Sequence, residues 1–370
     1  MSRYLLKNAR LLDAERDYLP ADVLVENDRI AAVGNVPEDT GATVIDLSGH
    51  TLMPGLVNAH THIRCANDYT DEKFQAMAKA GVCLCHDLGF LVNEPLSDMM
   101  AWVRQVNDDP AFPALDVAGR YIAVAGGYGD TIPGGFQVGE LVTSEDECRA
   151  AVDYLADSGA ACIKIGMDQG RGSMEDAVTL PDSFVAAISA RAKERGLRVC
   201  AHVHELAYLE RLVAGGITES SHVIKQPIPE ELMQTMLQRN ITLVATLTNF
   251  FRHADRCGQQ ALHDSVENVR RYWQGGGTVA VATDFMWPFE QYLTPVEEMR
   301  LFRKTGMSTR EILTCATLNG AKVCRRETDY GTIEPGKYAS LIAVPGELDD
   351  DFVKLEAPEF VMNRGTILRG

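Results

Sequence analysis

Eight short apolar runs recur through the middle of the chain, and longer amphipathic stretches separate them. The runs lie at residues 55–59, 82–85, 115–117, 162–165, 199–203, 219–223, 242–247 and 279–283. The stretches between them, such as residues 182–195 and 206–214, repeat apolar positions every three to four residues, as a helix that buries one face does. Gly159 and Gly196 follow such stretches, where glycine commonly ends a helix. Eight strands alternating with helices predict an α/β fold, a (β/α)8 TIM barrel over residues 52–330.

An open, doubly wound parallel sheet would show a similar alternation of strands and helices. That fold normally carries a glycine-rich phosphate loop after its first strand. No such loop follows the first apolar run of this chain, so the barrel is the preferred prediction.

The two ends of the chain have a different pattern, made of short strand-like segments. Residues 23–34 predict two strands joined by an Asn-Asp turn. Residues 331–344 and 359–368 near the other end have the same character. We therefore predict that residues 1–51 and 331–370 pair as one small β-sandwich domain, separate from the barrel.

Composition and charge narrow the class of protein. Apolar residues make up 46% and charged residues 24% of the 370 residues, as in an ordinary globular enzyme. The net charge of −17 argues against nucleic acid as a partner. No apolar stretch approaches the roughly 18 residues that a membrane span needs, and the N-terminus lacks a signal-peptide pattern. The nine dispersed cysteines are typical of a reduced compartment. We expect a cytoplasmic homo-oligomer that acts on a small-molecule substrate, with neither nucleic acid nor membrane as a partner.

The first apolar run ends in two histidines. His60 and His62 are two residues apart, so in a strand they point to the same face and two imidazoles can reach one ion. A His-x-His pair alone is a weak indication of metal, because both rings are more often exposed or bonded within a core. The polar residues at the ends of later runs determine how the His60 and His62 pair is interpreted.

The fourth run contains Lys164 within Ala-Cys-Ile-Lys-Ile. A lysine is almost never fully buried without a partner, so a salt-bridged or partly exposed lysine is the ordinary interpretation. Carboxylation by CO₂ is the functional alternative, since it would turn the amine into a carboxylate-like bridge between two metals. It requires a deprotonated amine, which burial favours by lowering the lysine pKa.

Further polar residues lie where later runs end. The fifth run carries His202 and His204 on one face, and periodicity does not choose between them. His222 ends the sixth run and Asp284 follows the eighth. Barrel active sites lie at the C-terminal ends of the strands, so this distribution predicts a metal site there.

Other polar and aromatic residues are candidates for the substrate pocket because they follow strands in the chain. They are His86, Tyr128, Asn249, Arg252 and Trp287. Arg252 could bind a substrate carboxylate with two hydrogen bonds, as arginine side chains do. The alternative interpretation is a surface residue of a helix. The glycine-rich segment 126–135 after the third strand is predicted to be a mobile loop.

The order of these motifs resembles the amidohydrolase superfamily, over nearly the whole chain. Residues 54–62, Pro-Gly-Leu-Val-Asn-Ala-His-Thr-His, are similar to its strand-1 signature, and residues 331–341 to its return into the β domain. Residues 159–165 resemble the binuclear branch that contains imidazolonepropionase-like and prolidase-like members with a carboxylated lysine.

The resemblance implies six ligands for two ions: His60, His62 and Asp284 on the more buried ion, His202 and His222 on the exposed ion, and carboxylated Lys164 between them. The family uses the first histidine of the strand-5 motif, which selects His202 over His204. Zn²⁺ is the expected ion, since imidazole and carboxylate ligands suit it, with Mn²⁺, Fe²⁺ and Co²⁺ as alternatives.

The preferred functional prediction is hydrolysis of an amide-like C–N bond in an N-acyl amino acid, a dipeptide or a lactam. A metal-bridging hydroxide would attack the carbonyl, and Asp284 would move the proton to the leaving nitrogen. Esters and lactones are related substrates that the same chemistry would serve.

One residue differs from the pattern of this branch and supports an alternative function. Its members often have glycine after the second histidine of the strand-5 motif, whereas this chain has Glu205. The spacing of His202 and Glu205 resembles the superfamily's deaminases, which usually bind one metal and use that glutamate as a proton shuttle. The alternative is therefore a mononuclear zinc deaminase of a nucleobase-like heterocycle. A barrel that has lost catalysis is disfavoured because all six ligand positions are filled.

Overall fold

The structure is a computed structural model that describes residues 2–37, 41–65, 69–130, 132, 137–168, 178–252, 257–284 and 293–370. Both ends of the chain contribute to one eight-stranded sheet, whose members are β1 Arg3–Leu11, β2 Leu19–Glu26, β3 Arg29–Gly34, β4 Thr43–Asp46, β5 His50–Pro54, β16 Leu341–Pro345, β17 Phe360–Asn363 and β18 Thr366–Arg369. The strand order is β18-β17-β16-β5-β1-β2-β3, with β4 on β1. The join between the two ends is the antiparallel pair β5 and β16, in which Pro54 lies opposite Leu341.

The turn predicted from Asn27 and Asp28 lies between β2 and β3. Asn27 has a φ of 55°, a left-handed conformation that asparagine tolerates better than most residues. The side chains of one sheet face form their own hydrophobic cluster, with Leu6, Leu11, Leu52 and Leu341 fully or almost fully buried. This cluster explains why the terminal strands pair with one another.

Each of the eight apolar runs forms one parallel strand of the barrel. These strands are β6 Leu56–Thr61, β7 Val82–Asp87, β8 Ala114–Val117, β11 Cys162–Gly166, β12 Arg198–His202, β13 Glu219–Ser221, β14 Thr242–Ala245 and β15 Val279–Val281. They form two hydrogen-bonded sheets, β6-β7-β8 and a seven-stranded sheet that includes β11 to β15 in order.

Two backbone hydrogen bonds connect these sheets around the barrel. The Ala161 amide donates to the Val117 carbonyl at 2.8 Å, and the Asp284 amide donates to the His60 carbonyl at 2.9 Å. The seven-stranded sheet also contains two short strands that the sequence pattern did not predict, β9 Tyr121–Ala123 and β10 Gly139–Leu141.

The described helices alternate with the barrel strands or follow the last of them. They are α1 Asp71–Lys79, α2 Leu96–Asp108, α3 Glu145–Ser158, α4 Asp182–Glu194, α5 Leu206–Gly215, α6 Glu230–Gln238, α7 Leu247–Arg252, α8 Gln259–Gln274, α9 Val296–Phe302, α10 Thr309–Cys315 and α11 Leu318–Val323. Helix α3 shows the local rules at both ends. The Ser144 hydroxyl accepts from the Glu147 amide at its start, and Gly159, with a φ of 100°, ends it.

The fold class predicted from the sequence is confirmed, a (β/α)8 barrel with a β-sandwich domain built from both chain ends. The domain limits at residues 51/52 and 330/331 stay a prediction. None of the helices within the described ranges is both long and apolar enough to cross a membrane.

Candidate metal centre

The six predicted ligands lie at or just beyond the C-terminal halves of five barrel strands. The strands are β6, β11, β12, β13 and β15, and the ligands are His60, His62, Lys164, His202, His222 and Asp284. All are buried except Asp284, which is partly exposed. The strands place these residues on one end of the barrel because parallel strands share their direction.

The first donor cluster consists of His60, His62 and Asp284. The two Nε2 atoms of the histidines are 3.3 Å apart, and Asp284 Oδ1 lies 3.4 Å from one and 3.5 Å from the other. Two neutral imidazoles cannot both donate into the space between them. A zinc ion with bonds of about 2.0–2.2 Å to nitrogen and oxygen separates its ligand atoms by roughly this distance. The three atoms therefore fit one shared cation.

The second donor cluster contains His202, His204 and His222. One ring nitrogen from each lies within 4.8 Å of the others, and all three residues are buried. His222 also connects the two clusters, because its ring centroid is 4.8 Å from that of His60 and its Nδ1 is 3.8 Å from Asp284 Oδ2. The two clusters are thus neighbours in one site.

The backbone is strained at two predicted ligands. His222 has a φ of 76° and Asp284 a φ of 51°, both in the left-handed region that residues with side chains rarely adopt. Hydrogen bonds from the His222 amide to the Val244 carbonyl and from the Asp284 amide to the His60 carbonyl hold these conformations. Such strain is typical of functional sites.

Lys164 lies in the barrel interior between the strands that carry these clusters. Its side chain is fully buried, and Nζ donates to Ser221 Oγ at 3.2 Å and lies 5.7 Å from the Tyr121 ring centre. Among the residues that the structure describes, no carboxylate forms an ion pair with it. Burial lowers the pKa of Lys164, which favours the neutral amine that carboxylation requires.

Burial favours the neutral, metal-binding form of three of the ligand histidines. Burial is the main cause that lowers the pKa of His60, His202 and His222, because a buried imidazolium loses its hydration. Burial would raise the pKa of Asp284, but its contact with His62 and the nearby Lys164 lower it below its usual value. The site therefore combines neutral imidazoles with an ionised carboxylate.

Two of the predicted pocket residues contact the metal-ligand set directly. Asn249, on helix α7, donates from Nδ2 to Asp284 Oδ2 at 2.7 Å. The Tyr128 ring stacks on His202, with centroids 3.7 Å apart. Gly166 makes this stacking possible, because a Cβ at that position would lie 2.3 Å from the Tyr128 ring.

The other predicted pocket residues are placed differently. Glu205 pairs with Lys225 at 2.5 Å and accepts from Gln226. Arg252 pairs with Glu297 of helix α9. His86 is fully buried inside the barrel with Nδ1 2.6 Å from Asp116. Trp287 lies outside the described residues.

One carboxylate beside the second cluster, Asp168, was not predicted from the sequence. Asp168 Oδ2 lies 3.2 Å from His202 Nε2, and the residue is 4% exposed. The signal that could have identified it is its position two residues past strand β11, since Asp284 holds a similar position after β15. His204 was considered and set aside, yet the structure brings it to His202 and His222.

Comparison with known proteins agrees with this geometry. A model described as the amidohydrolase family matches residues 51–369. An adenine deaminase of Chelativorans sp. (strain BNC1) is 25% identical over 358 residues, covering 94% of this chain and 54% of that protein. The chain thus spans about half the length of this curated relative.

Solved structures with the same fold cover the whole chain. A Xaa-Pro dipeptidase with bound methionine aligns with a TM-score of 0.82 at 21% identity, covering 100% of both chains. The A. niger ochratoxinase aligns with a TM-score of 0.82 at 19% identity, covering 100% of this chain and 96% of that one. At such identities the likeness shows the fold alone.

Proposed function

Since this chain belongs to the amidohydrolase family, whose members hydrolyse carbon–nitrogen bonds, we propose that it is a metal-dependent hydrolase of an amide-like bond in a small molecule. The observation that carries the proposal is the first donor cluster. His60, His62 and Asp284 direct three ligand atoms at one point at separations of 3.3–3.5 Å. A shared divalent cation explains this convergence, because two imidazole nitrogens face each other there.

The donor set suits zinc, with imidazole and carboxylate ligands. In the proposed centre, the first cluster would hold one ion, His202 and His222 would hold a second, and carboxylated Lys164 would contribute a further ligand. Ions bound there would supply a water activated near neutral pH and a polarised substrate carbonyl. The number of ions, their identity and the carboxylation are parts of the proposal.

Asp284 is the proposed general base and acid. Asn249 holds its Oδ2, while its Oδ1 faces His60 and His62. This arrangement fixes the plane of the carboxylate, and the lowered pKa keeps it ionised. It would take a proton from the attacking water and deliver it to the leaving nitrogen, a role worth roughly 10²–10⁴-fold in rate.

The proposed substrates are N-acyl amino acids, dipeptides and lactams. A protein that shares this fold is described as a Xaa-Pro dipeptidase, which is consistent with the dipeptide class. Arg252 is already paired with Glu297, so a substrate carboxylate would have to displace that partner to bind it.

A deaminase is the second candidate, and the adenine deaminase relative favours it. In that reaction Glu205 would shuttle protons. Glu205 is bonded to Lys225 and Gln226 and belongs to neither donor cluster, which argues against that role. A buried Lys164 beside the metal ligands favours the two-metal hydrolase.

The decisive experiment compares Asp284→Asn with Glu205→Gln in metal-loaded protein. The substrates are N-acyl amino acids, Xaa-Pro dipeptides, lactams, lactones and adenine-like heterocycles. We expect Asp284→Asn to lower kcat at least about 10²-fold while most of the metal stays bound, and Glu205→Gln to retain activity. Near-wild-type turnover by Asp284→Asn would refute the proposed base. Ammonia release that depends on Glu205, with one metal per chain and no CO₂ on Lys164 by mass spectrometry, would support the deaminase instead.

A further inference from the structure

We propose that Asp168 is a further ligand of the ion that His202 and His222 hold, an inference that rests on the proposed metal centre. Asp168 follows strand β11, which carries Lys164, and it belongs to neither of the two donor clusters described above. A carboxylate at this position would make the second ion's site a mixed nitrogen and oxygen site like the first.

The local backbone holds Asp168 beside His202. Gly166, the last residue of β11, lies opposite His202 in the parallel ladder. The Met167 amide then donates to the His202 carbonyl at 3.0 Å. The direction and register of two neighbouring strands therefore set the backbone position of Asp168 beside His202.

The distance between the two side chains matches a pair of ligands. Asp168 Oδ2 is 3.2 Å from His202 Nε2, close to the 3.3–3.5 Å that separates the donor atoms of the first cluster. The contact has the geometry of a hydrogen bond, at the long end of the usual range of about 2.7–3.2 Å. Two ligands with metal bonds of about 2.0–2.2 Å at a tetrahedral angle lie at a similar separation.

His202 is held so that this ring nitrogen keeps its direction. Tyr128 stacks on one face of the imidazole, 3.7 Å between centroids, and Gly166 leaves the space for the Tyr128 ring. The stacked ring keeps Nε2 directed at Asp168 Oδ2.

Charge balance supports a further anion in the centre. Two divalent ions would bring four positive charges into a buried site, where Asp284, carboxylated Lys164 and the activated hydroxide would supply three negative ones. Uncompensated buried charge is costly, so a further carboxylate is favourable.

The test measures metal binding, independently of turnover. Metal-free wild type, Asp168→Asn and Asp168→Ala are titrated with Zn²⁺ against a chromophoric chelator, and bound zinc is counted by mass spectrometry. We expect two ions for wild type. In both variants the first ion should bind with unchanged affinity and the second at least about tenfold more weakly, the loss typical of removing a metal-site partner.

Glu205→Gln is the matched control, because Glu205 is another carboxylate close in sequence to His202 but is bonded to Lys225 and Gln226. We expect it to bind both ions as wild type does. Unfolding temperatures of the metal-free variants establish that the fold is intact. A crystal structure of the zinc-loaded wild type should place an Asp168 oxygen about 2.0–2.2 Å from an ion.

The outcomes separate this inference from the proposed function. Wild type with two ions and an Asp168→Asn variant of equal affinity would overturn the role of Asp168 alone, as would an Asp168 oxygen that contacts His202 and no ion. A wild type that binds no ion would overturn the proposed metal centre and this inference with it.

Discussion

At the scale of single residues, burial determines the protonation of the candidate site. His60 and His222 are 0–1% exposed, and their pKa values lie well below the ordinary value of 6.5 because burial disfavours the imidazolium. Neighbouring histidines and Lys164 act in the same direction. The same arrangement that makes the rings available to metal also couples folding to pH.

The metal-free protein should lose stability as the pH falls below about 6.5, the histidine value in the unfolded chain. Below that pH the unfolded state binds protons that the folded state excludes, so the free energy of unfolding decreases. Each such histidine contributes up to about 1.4 kcal/mol per pH unit until the folded-state pKa is reached. His222→Gln should therefore flatten the dependence, as measured by urea unfolding between pH 7.5 and 5.

His263→Gln is the control for this measurement, since His263 is exposed on helix α8. It should leave the dependence as in wild type. An equal slope in wild type and His222→Gln would contradict the account of buried neutral imidazoles.

At the scale of elements, the short helix α7 carries Asn249, which contacts the proposed base Asp284. Helix α7 has only six residues, and Glu298 of helix α9 accepts hydrogen bonds from the Leu247 and Thr248 amides at 2.7 and 2.6 Å. This buried carboxylate satisfies amides at the start of α7 that have no partner within the helix. Helix α7 in turn brings Asn249 to Asp284.

Glu298→Gln should therefore lower kcat by positioning Asn249 less accurately, roughly 10–100-fold if the displacement is near 1 Å. Asn249→Ala removes the contact through which Glu298 acts. In the Asn249→Ala background, Glu298→Gln should cost little further activity, because the two residues form one chain of contacts. The double-mutant cycle in kcat is the measurement.

Glu297→Gln provides a matched control on the same helix. It breaks the pair with Arg252 but leaves the amides of α7 bonded. We expect nearly normal kcat. Additive losses of kcat from Glu298→Gln and Asn249→Ala would show that Glu298 acts independently of Asn249.

Much of the element pattern could be predicted from the sequence, because a barrel strand buried on both faces is a continuous apolar run. All eight runs are strands. The shared face of His60 and His62 follows from the two-residue period of a strand. The short strands β9 and β10 were missed because three residues are too few to show a period. The contact of Asn249 with Asp284 was missed because it joins elements 35 residues apart.

At the scale of the whole molecule, Asn363 connects the terminal sheet to the barrel by hydrogen bonds. It accepts from the Ser340 hydroxyl at 2.9 Å and donates to the carbonyls of Pro110 and Phe112 at 2.9 and 2.8 Å. Pro110 and Phe112 precede barrel strand β8, whereas Asn363 ends strand β17. One buried side chain thus spans both parts of the fold.

Asn363→Ala should lower the free energy of unfolding by about 1–3 kcal/mol, the cost of leaving buried partners unsatisfied. Urea unfolding measures the loss. Hydrogen exchange should become faster in β16 to β18 than in β12, because the loss frees the sheet from the barrel. The exposed Asn35→Ala is the control and should be neutral. Equally faster hydrogen exchange in the terminal sheet and in the barrel would contradict the role of Asn363 in connecting them.

The sequence by itself determined the class of fold and the barrel-strand ends where the candidate metal ligands are concentrated. Periodicity is a local property, so a run of apolar residues predicts a strand, and a histidine two residues beyond another predicts a shared face. The family resemblance added the expected ligand set, and the membership is confirmed.

Only the tertiary structure decided which donor atoms meet. The approach of Asp168 to His202, of His204 to His222 and of Asn249 to Asp284 depends on strand register, helix placement and side-chain direction. These quantities join residues that are distant in the chain, and no local period encodes them. The packed barrel brings them together because its strands run in the same direction and its neighbours are fixed by hydrogen bonding.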